Sequence, residues 1–402
     1  MDTTDHRSAD DITVTSAAQT PVSRRLDVID ALRGLVICLM VLDHVRDFIH
    51  RDAFLYDPLD LGKTSVMLYA TRWVTHLCAP TFVLLSGVSI WLQARKGKTG
   101  WALSRFLLTR GLWLIFLELT LVDGGFDFLW PSLFLQVIYA IGMSMVLMAA
   151  LVWLPRPAVL AVGLVIVCGH NLLDGVDAGA LGPWTLPWRL FMAPGPLPGG
   201  FIAYPALPWL GIMAAGYGIA PLYLMETKRR NRLMAAAAAA MLALFLVLRL
   251  PNLYGNGSPW TLPANHAFAA LAILDVTKYP PSLDYVLVTQ GMSFLLFLGL
   301  QRLPETMLKP LLAFGRTPLF TYLLHIFIAH GIAVAIGVLM GVPFAHFIGT
   351  LTQPDRLARD HFGLPLLGAY AEWLAVLLIL YPLSSAYARF RATHKTWWQS
   401  YL

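Results

Sequence analysis

The chain has 402 residues, of which 57% are hydrophobic and only 13% are charged, and its formal net charge is +6. An ordinary soluble chain would carry about 25% charged residues, so these values exclude a soluble multidomain enzyme and a disordered chain. A transmembrane β-barrel alternates apolar and polar residues and has a weak hydropathy signal. The composition therefore predicts an all-α, polytopic membrane protein, because helices satisfy their own backbone hydrogen bonds in lipid.

The polar ends of the chain are predicted to lie outside the membrane. Residues 1–24 lack the basic and apolar regions of a cleavable signal, so we expect a disordered cytoplasmic tail there. One transmembrane domain is predicted over residues 25–390, followed by a second cytoplasmic tail over residues 391–402. The first apolar segment would then act as an uncleaved signal anchor.

Apolar segments of spanning length recur along the chain and predict about ten transmembrane helices. A further segment at 264–274 is too short to span and is predicted to be interfacial or re-entrant. The predicted spans are 28–49, 66–92, 106–123, 132–154, 158–173, 201–225, 233–250, 284–300, 317–340 and 366–388.

The basic residues predict the orientation of these helices. Most of the 29 Lys and Arg residues fall on one side if both termini are cytoplasmic, as the positive-inside rule requires. The net charge therefore indicates orientation in a cell inner membrane and gives no sign of a nucleic-acid partner. The opposite loops at 182–200 and 251–263 are rich in Pro, Gly and Trp. They could form a lid over a cavity in the membrane or serve as short interfacial connectors.

The first predicted span carries four ionisable residues near its non-cytoplasmic end, Asp43, His44, Arg46 and Asp47. Such groups inside a span are energetically unfavourable and indicate a functional site. On a helix, Asp43 and Arg46 are three residues apart, as are His44 and Asp47, so these side chains can converge. An imidazole held by a carboxylate is typical of a general base or a nucleophile. The alternative is a charge-paired helix end that reaches water.

The second predicted span contains His76 one turn before Pro80. A proline frees a backbone carbonyl and bends the helix, which could make room for a ligand. His76 is therefore a second candidate base, although a lone histidine is more often a packing residue. Ser86, followed by Gly87, allows close approach of a neighbouring helix.

Basic residues at the predicted cytoplasmic ends could bind phosphate. Arg33 precedes His44 by eleven residues, or about 17 Å along a helix, and Arg24 and Arg25 lie before it. Arg316 lies beside a helix start at Pro318, where a phosphate could also bind. Ordinary positive-inside anchoring explains Arg24 and Arg25 better than phosphate binding does, and it explains Arg33 equally well.

Other polar residues have less specific interpretations. Lys278 and Tyr279 precede a diproline and could line an acceptor site or anchor the chain at the interface. The acids Glu118, Asp123 and Glu372 are predicted to form structural ion pairs.

No metal site is predicted. His325 and His330 are five residues apart and do not share a helix face as zinc ligands would. Cys38, Cys78 and Cys168 are scattered through apolar runs, so neither a disulfide nor a zinc site is expected. The chain also lacks the sequence motifs of P-loop ATPases, zinc proteases and serine hydrolases.

Several stretches of the chain resemble the bacterial relatives of heparan-α-glucosaminide N-acetyltransferase, within the wider transmembrane acyltransferase superfamily. They run in order from residue 25 to residue 330, and the first two are the most specific. The stretches are RLDVIDALRGLVICLMVLDHVRDF, HLCAPTFVLLSGVSIWL, YPALPWLGIMAAGYGIA, TKYPPSLDYVLVTQGM and FGRTPLFTYLLHIFIAH.

The resemblance implies acyl transfer from cytosolic acyl-CoA, with acetyl-CoA as the expected donor, to a sugar-type hydroxyl or amine across the membrane. His44 would be the catalytic base or acyl carrier, oriented by Asp43 or Asp47, with Arg46 stabilising an oxyanion. His76 is a second candidate for the catalytic histidine, and His50 is a third.

The remaining site residues divide between the two substrates. Arg33, Arg316 and Ser86 are predicted to bind the CoA donor, and Lys278, Tyr279 and His325 the acceptor. A homodimer in the lipid bilayer is a further expectation. The competing interpretation is a proton-coupled secondary transporter or flippase that uses the Asp, His and Arg cluster, although no internal repeat supports it. A third is a structural subunit of a membrane complex.

Overall fold

A computed structural model describes residues 21–129, 133–350 and 355–394, with the side chains of 21–25 left undescribed. Most of both predicted tails therefore lies outside the described residues. The first helix nevertheless begins earlier than the predicted span. The helices of the first half are α1 (Pro21–Ile49), α2 (Val66–Val74), α3 (Cys78–Arg95), α4 (Gly100–Leu117), α5 (Asp123–Asp127), α6 (Val137–Leu151), α7 (Arg156–Gly169) and α8 (Thr185–Phe191).

The second half of the chain is also mostly helical. Short 3₁₀ turns separate several of its helices. These helices are α9 (Ala206–Ile219), α10 (Pro221–Leu224), α11 (Thr227–Arg249), α12 (Ala269–Leu274), α13 (Leu283–Leu300), α14 (Glu305–Gly315), α15 (Pro318–Leu339), α16 (Asp355–Arg359) and α17 (Leu366–Thr393).

The chain is a multi-pass membrane protein. Every predicted span overlaps at least one helix, and within the described residues seven helical segments are long and apolar enough to cross a membrane. Those seven contain α2–α3, α7, α9–α10, α11, α13, α15 and α17. The other three predicted spans coincide with α1, α4 and the 15-residue α6. The segment predicted at 264–274 forms a 3₁₀ turn and the six-residue α12.

Close backbone contacts fix α1 at the centre of the bundle. Gly34 packs against α14 so closely that a Cβ there would lie 1.9 Å from the carbonyl oxygen of Leu311. Gly315 packs equally closely in return, since a Cβ there would lie 1.8 Å from the carbonyl oxygen of Asp30. Only glycine permits this approach at either position. The charged end of α1 is thereby held against its neighbours at a fixed height.

A small three-stranded sheet is the main departure from the all-α prediction. Strand β1 (Phe134–Leu135) pairs in parallel with β3 (Gly200–Ile202), and β3 pairs antiparallel with β2 (Gly195–Leu197). The β2–β3 hairpin lies within the Pro- and Gly-rich loop that was predicted to be either a lid or a connector. It is folded onto the bundle through β1.

The structure contradicts the ion pairs predicted for Glu118, Asp123 and Glu372. A π-helical segment follows α4, and within it Glu118 accepts hydrogen bonds from the backbone N–H groups of Gln136 (2.7 Å) and Tyr139 (3.1 Å). These are the free donors at the start of α6, so the carboxylate caps that helix. Asp123 accepts the Phe134 N–H at 3.1 Å. Glu372 is buried, and no other described residue forms an ion pair with it.

Candidate active site

A cavity of about 550 Å³ opens at the C-terminal end of α1. Charged side chains line one wall and aromatic side chains line another, and the hairpin loop closes part of the cavity through Pro194 and Phe201. Of the two loops predicted to be a lid or a connector, the 182–200 loop thus contributes Pro194 to the cavity lining, and the 251–263 loop contributes no residue to it. The polar and aromatic lining includes Asp43, His44, Asp47, Arg72, Lys278, Tyr204, Tyr279, His330, Phe48 and Phe126.

Asp43 is the centre of the charged wall. Its Oδ1 lies 3.0 Å from Arg46 Nη2, as the predicted three-residue spacing requires. Its Oδ2 lies 3.3 Å from Arg72 Nη1 and 3.9 Å from Lys278 Nζ. The Thr75 hydroxyl donates a further hydrogen bond of 2.9 Å. One buried carboxylate is therefore shared by three cations, and its negative charge stabilises their close approach.

The cluster as a whole carries excess positive charge. Asp47 is the second carboxylate, and its Oδ1 lies 2.5 Å from Arg46 Nη2. Arg46 is fully buried between the two acids and does not line the cavity. Lys278 and Arg72 do line it. Lys278 and Arg72 are thus the cations that a bound molecule can contact. Arg46, which was predicted to stabilise an oxyanion, does not face the cavity.

His44 is held by another histidine. Its Nδ1 lies 2.6 Å from His325 Nε2, and the two rings are inclined by only 19° with centroids 4.9 Å apart, as in an edge-to-edge hydrogen bond. The predicted orientation by Asp43 or Asp47 is wrong, because the cations described above occupy both carboxylates. His325 lies behind His44 and does not line the cavity, so the predicted acceptor contact for His325 is not seen. His44 lines the cavity, and within the described residues its Nε2 forms no hydrogen bond.

His330 also lines the cavity but is held rigidly. Its ring stacks on Phe48 at 4.6 Å and on Phe128 at 3.9 Å between centroids. Its Nδ1 donates to the carbonyl oxygen of Gly125 at 2.9 Å. This bond leaves Nε2 as the unprotonated nitrogen of a neutral ring.

Two tyrosines complete the polar wall. The Tyr204 and Tyr279 rings meet edge to face with centroids 5.0 Å apart, and Lys278 Nζ lies 5.1 Å from the Tyr279 centroid. Burial opposes ionisation of Tyr279, but the positive charges of Lys278 and Arg72 outweigh it and lower the pKa of Tyr279 below its usual value. Lys278 and Tyr279, which were predicted to line an acceptor site, both face the cavity.

Arg72 and Tyr204 are the site residues that the sequence interpretation missed. Arg72 is an ionisable residue within a predicted span, four residues before His76, and the rule that singled out Asp43 would also have found it. Tyr204 begins one of the stretches that resemble the family, but an uncharged phenol at the start of a predicted span gives no such signal. Its contact with Tyr279 joins residues that lie 75 positions apart.

His76 lies away from the cavity lining. Its side chain is buried, with a ring centroid 5.4 Å from that of Tyr285, and neither ring nitrogen has a hydrogen-bond partner among the described residues. Because Pro80 cannot donate, the His76 carbonyl is free for the Tyr285 hydroxyl, which donates at 2.8 Å. The freed carbonyl is thus used for a hydrogen bond between neighbouring helices.

His50, the third histidine candidate, also lies outside the cavity lining. It follows the last residue of α1, and its Nε2 is 3.9 Å from Asp52 Oδ2. Burial lowers the pKa of His50, although Asp52 opposes this effect. Its backbone forms an isolated bridge with Leu364, so its place in the structure is that of a buried connector.

The predicted donor pole lies in the N-terminal half of α1, where Arg33 precedes Asp43 by ten residues. Arg33 Nη1 lies 2.6 Å from Asp30 Oδ1, and its Nη2 donates to Ser89 Oγ at 3.2 Å. The partner of Arg33 is thus Ser89, whereas the Ser86 hydroxyl donates to the Phe82 carbonyl one turn earlier.

Arg316 is half exposed, and its Nη2 lies 2.6 Å from Asp27 Oδ1. The α1 side chains between the two poles, such as Val36, Ile37 and Val41, are fully buried. The donor pole and the cavity are therefore separate in this structure.

The fold and the cavity define a multi-pass membrane protein with a cationic, histidine-bearing site at one end of its first helix. Residues 25–251 match the family described as heparan-alpha-glucosaminide N-acetyltransferase, catalytic. The match covers more than half of the chain, and the protein belongs to this family of membrane acetyltransferases. No curated protein matches the chain. The described residues contain no group of three or more His, Cys, Asp or Glu side chains that could hold a metal ion.

Proposed function

We propose that the protein transfers an acyl group, acetyl in the simplest case, from cytosolic acyl-CoA to a sugar-type hydroxyl or amine at the non-cytoplasmic side. The observation that carries this proposal is the free Nε2 of His44 in a cavity whose wall presents Lys278 and Arg72. Membership of the acetyltransferase family supplies the reaction class. His44 lies within the matched residues.

His44 acts as the general base. When His44 Nδ1 donates its proton to His325 Nε2, the Nε2 of His44 has a lone pair directed at the cavity. This nitrogen accepts a proton from the hydroxyl or the neutral amine of the acceptor as that group attacks the thioester carbonyl. His325 is a positioning residue, because it fixes the tautomer and the ring orientation of His44.

The bonds made and broken in the transfer balance within the site. The acceptor oxygen or nitrogen forms a bond to the acyl carbon, the carbon–sulfur bond breaks, and the CoA thiolate takes the proton from His44. Lys278 and Arg72 stabilise the oxyanion that forms in between, since both line the cavity and the site has excess positive charge. The same His44 nitrogen could instead carry the acyl group transiently, which acid quenching and mass spectrometry would detect.

The donor is proposed to bind through Arg33 and Arg316 at the cytoplasmic pole, with Ser86 and Ser89 beside them. Both arginines already pair with a carboxylate, so a CoA phosphate must displace Asp30 or Asp27. Because α1 is packed along its length, the thioester reaches His44 only after neighbouring helices move.

The same proposal includes about ten membrane crossings with both termini in the cytoplasm. It also includes a location in the inner membrane and a homodimer.

The test is acetyl transfer by the purified protein in liposomes, with acetyl-CoA and glucosamine as substrates. His44→Ala should reduce the rate by about 10²–10⁴, as expected for loss of a general base. His266→Ala is the matched control, because His266 is exposed and lies outside the cavity. Full activity of His44→Ala would overturn the assignment of the base. Proton-coupled uptake without any CoA dependence would instead support the transporter interpretation.

A further inference from the structure

The structure has a second cavity, which shares no lining residue with the first. It has a volume of about 360 Å³ and is walled by the turn after α7, the loop that follows α11, and the first turn of α13. This volume lies within the range of small-molecule binding sites. The walls are strongly polar, with Asn, Asp, Tyr and Arg side chains.

The hydrogen-bond donors around this cavity are already used. Asn252 and Asn256 donate to the carbonyl oxygens of Trp260 and Ser258. Arg249 donates to the carbonyl oxygens of Ser258, Ile273, Ala272 and Asp275. These bonds shape the loop and leave few donors for a bound molecule.

The amide oxygens of Asn171, Asn252 and Asn256 already accept hydrogen bonds, whereas the two carboxylates of the cavity are little used. Asp284 is only 1% exposed, and its Oδ1 has no hydrogen-bond partner among the described residues. Asp174 is exposed and receives one hydrogen bond of 2.9 Å from Asn171. A buried carboxylate oxygen without a partner is unfavourable, so the cavity is suited to a molecule that supplies hydrogen-bond donors.

The loop is closed tightly around Asp284. The Asp284 N–H donates to the Gly255 carbonyl at 2.9 Å. Gly255 has a φ of +96°, and a Cβ there would lie 3.0 Å from Asp284 Oδ1. Glycine therefore allows the loop backbone to approach the carboxylate.

The two cavities share one short wall. Asn256, in the second cavity, accepts hydrogen bonds from the Thr277 N–H (2.7 Å) and the Ser282 hydroxyl (3.0 Å). Between these two residues lie Lys278 and Tyr279, which line the first cavity. A molecule long enough to cross this wall would contact both cavities.

We infer that the second cavity binds a carbohydrate and serves as a distal subsite for an oligosaccharide acceptor. Sugar hydroxyls and ammonium groups donate to Asp284 and Asp174, and the Tyr254 ring offers an amphipathic surface for a sugar face. A divalent cation is less well matched, because only two carboxylates line the cavity and the Arg249 guanidinium is beside them. The inference rests on the proposed function for its acceptor.

The experiment measures saccharide binding to the full-length protein by calorimetry, without acetyl-CoA. A β-linked glucosamine tetrasaccharide is the probe. Asp284→Asn is expected to raise its Kd about tenfold, as loss of a charged hydrogen-bond acceptor requires. Asp174→Asn, at an exposed position that folding tolerates, should raise the Kd in the same direction. Asp355→Asn, outside both cavities, is the matched control.

Kinetics separate this inference from the proposed function. In the transfer assay, Asp284→Asn should raise KM for the tetrasaccharide and leave kcat, and the KM for monomeric glucosamine, unchanged. Weaker tetrasaccharide binding by the variants, even if no transfer is found, supports the subsite alone. Equal binding by wild type and both variants overturns it. The inference is also overturned if the wild-type protein binds no saccharide but Ca²⁺ raises its thermal unfolding temperature.

Discussion

Two charged clusters on α1, one at its C-terminal end and one in its N-terminal half, use the same residue types in different proportions. At one end, Asp43 is surrounded by Arg46, Arg72 and Lys278, so three cations share one carboxylate. In the N-terminal half, which holds the paired end of the predicted site, Arg33 pairs with Asp30 and Arg316 pairs with Asp27. The first arrangement leaves positive charge exposed to a cavity, whereas the second neutralises each arginine locally.

The difference shows that the partners of a basic residue matter more than its presence. A cation that shares its carboxylate retains attraction for an additional anion, such as a developing oxyanion. A cation with its own carboxylate must exchange one anion for another, and the net gain is small. The shared end is therefore the better candidate for chemistry, and the paired end for weak, reversible donor binding.

The largest expected effect follows from removing the shared carboxylate. Asp43→Ala leaves buried cations unpaired, and breaking a buried ion pair costs about 3–5 kcal/mol. Asp30→Ala breaks a partly exposed pair at the other end, which contributes about 0–1 kcal/mol. Thermal unfolding in detergent measures both. Equal losses of stability in the two variants would contradict the distinction between shared and paired ends.

Next in size is the effect of Lys278 on the transfer rate. Lys278→Met removes a cation from the cavity wall, and loss of one oxyanion donor lowers kcat by about 10²–10³. Lys278→Arg should recover part of the rate because it keeps the charge. Lys309→Met, at an exposed position on α14, serves as the control. A Lys278→Met enzyme with normal kcat would show that the excess charge is not used in the reaction.

A pH titration of Tyr279 tests the positive charge of Lys278 through a smaller effect, the pKa of a neighbouring phenol. Lys278 and Arg72 lower the pKa of Tyr279 against the opposing influence of burial. The phenol therefore ionises at a lower pH in wild type than in Lys278→Met, and any fall in activity caused by its ionisation should move to higher pH in that variant. Tyrosinate absorbance, with Tyr279→Phe as the blank, follows the transition. An unchanged titration in Lys278→Met would disprove the electrostatic link.

The smallest effect is expected at the paired end. If Arg33 binds a CoA phosphate, Arg33→Ala should raise KM for acetyl-CoA about fivefold, in keeping with a partly exposed charge. Asp30→Asn should lower that KM, because it removes the competing carboxylate. Steady-state kinetics with varied acetyl-CoA gives both values. Changes of the same sign in the two variants would rule out competition between phosphate and Asp30.

Local patterns in the sequence predicted the part of the site that lies on one helix. The spacing of Asp43 and Arg46 predicted their ion pair, since residues three apart on a helix are neighbours. The contacts of His44 with His325 and of Asp43 with Lys278 join residues more than 200 positions apart. No helical period encodes such contacts, so the partner of His44 was assigned wrongly.

The fold divides in the same way. Long apolar runs predicted the helices because a spanning helix needs about 20 apolar residues. The small sheet was not predicted, since a strand such as Phe134–Leu135 is too short to show alternation. The cap formed by Glu118 on α6 depends on a π-helical segment that sequence periodicity does not reveal.

The glycine contacts between α1 and α14 restrict how the molecule can open. Gly34 and Gly315 bring the two backbones so close that any sliding of one helix along the other would produce steric clashes. The two helices therefore move as one rigid body. Both contacts of Arg33, with the Asp30 carboxylate and with the Gly315 carbonyl, move with that body. In the proposed transfer, a passage for the thioester between Arg33 and His44 would therefore open on another face of α1, where α3, α15 and α17 pack against it.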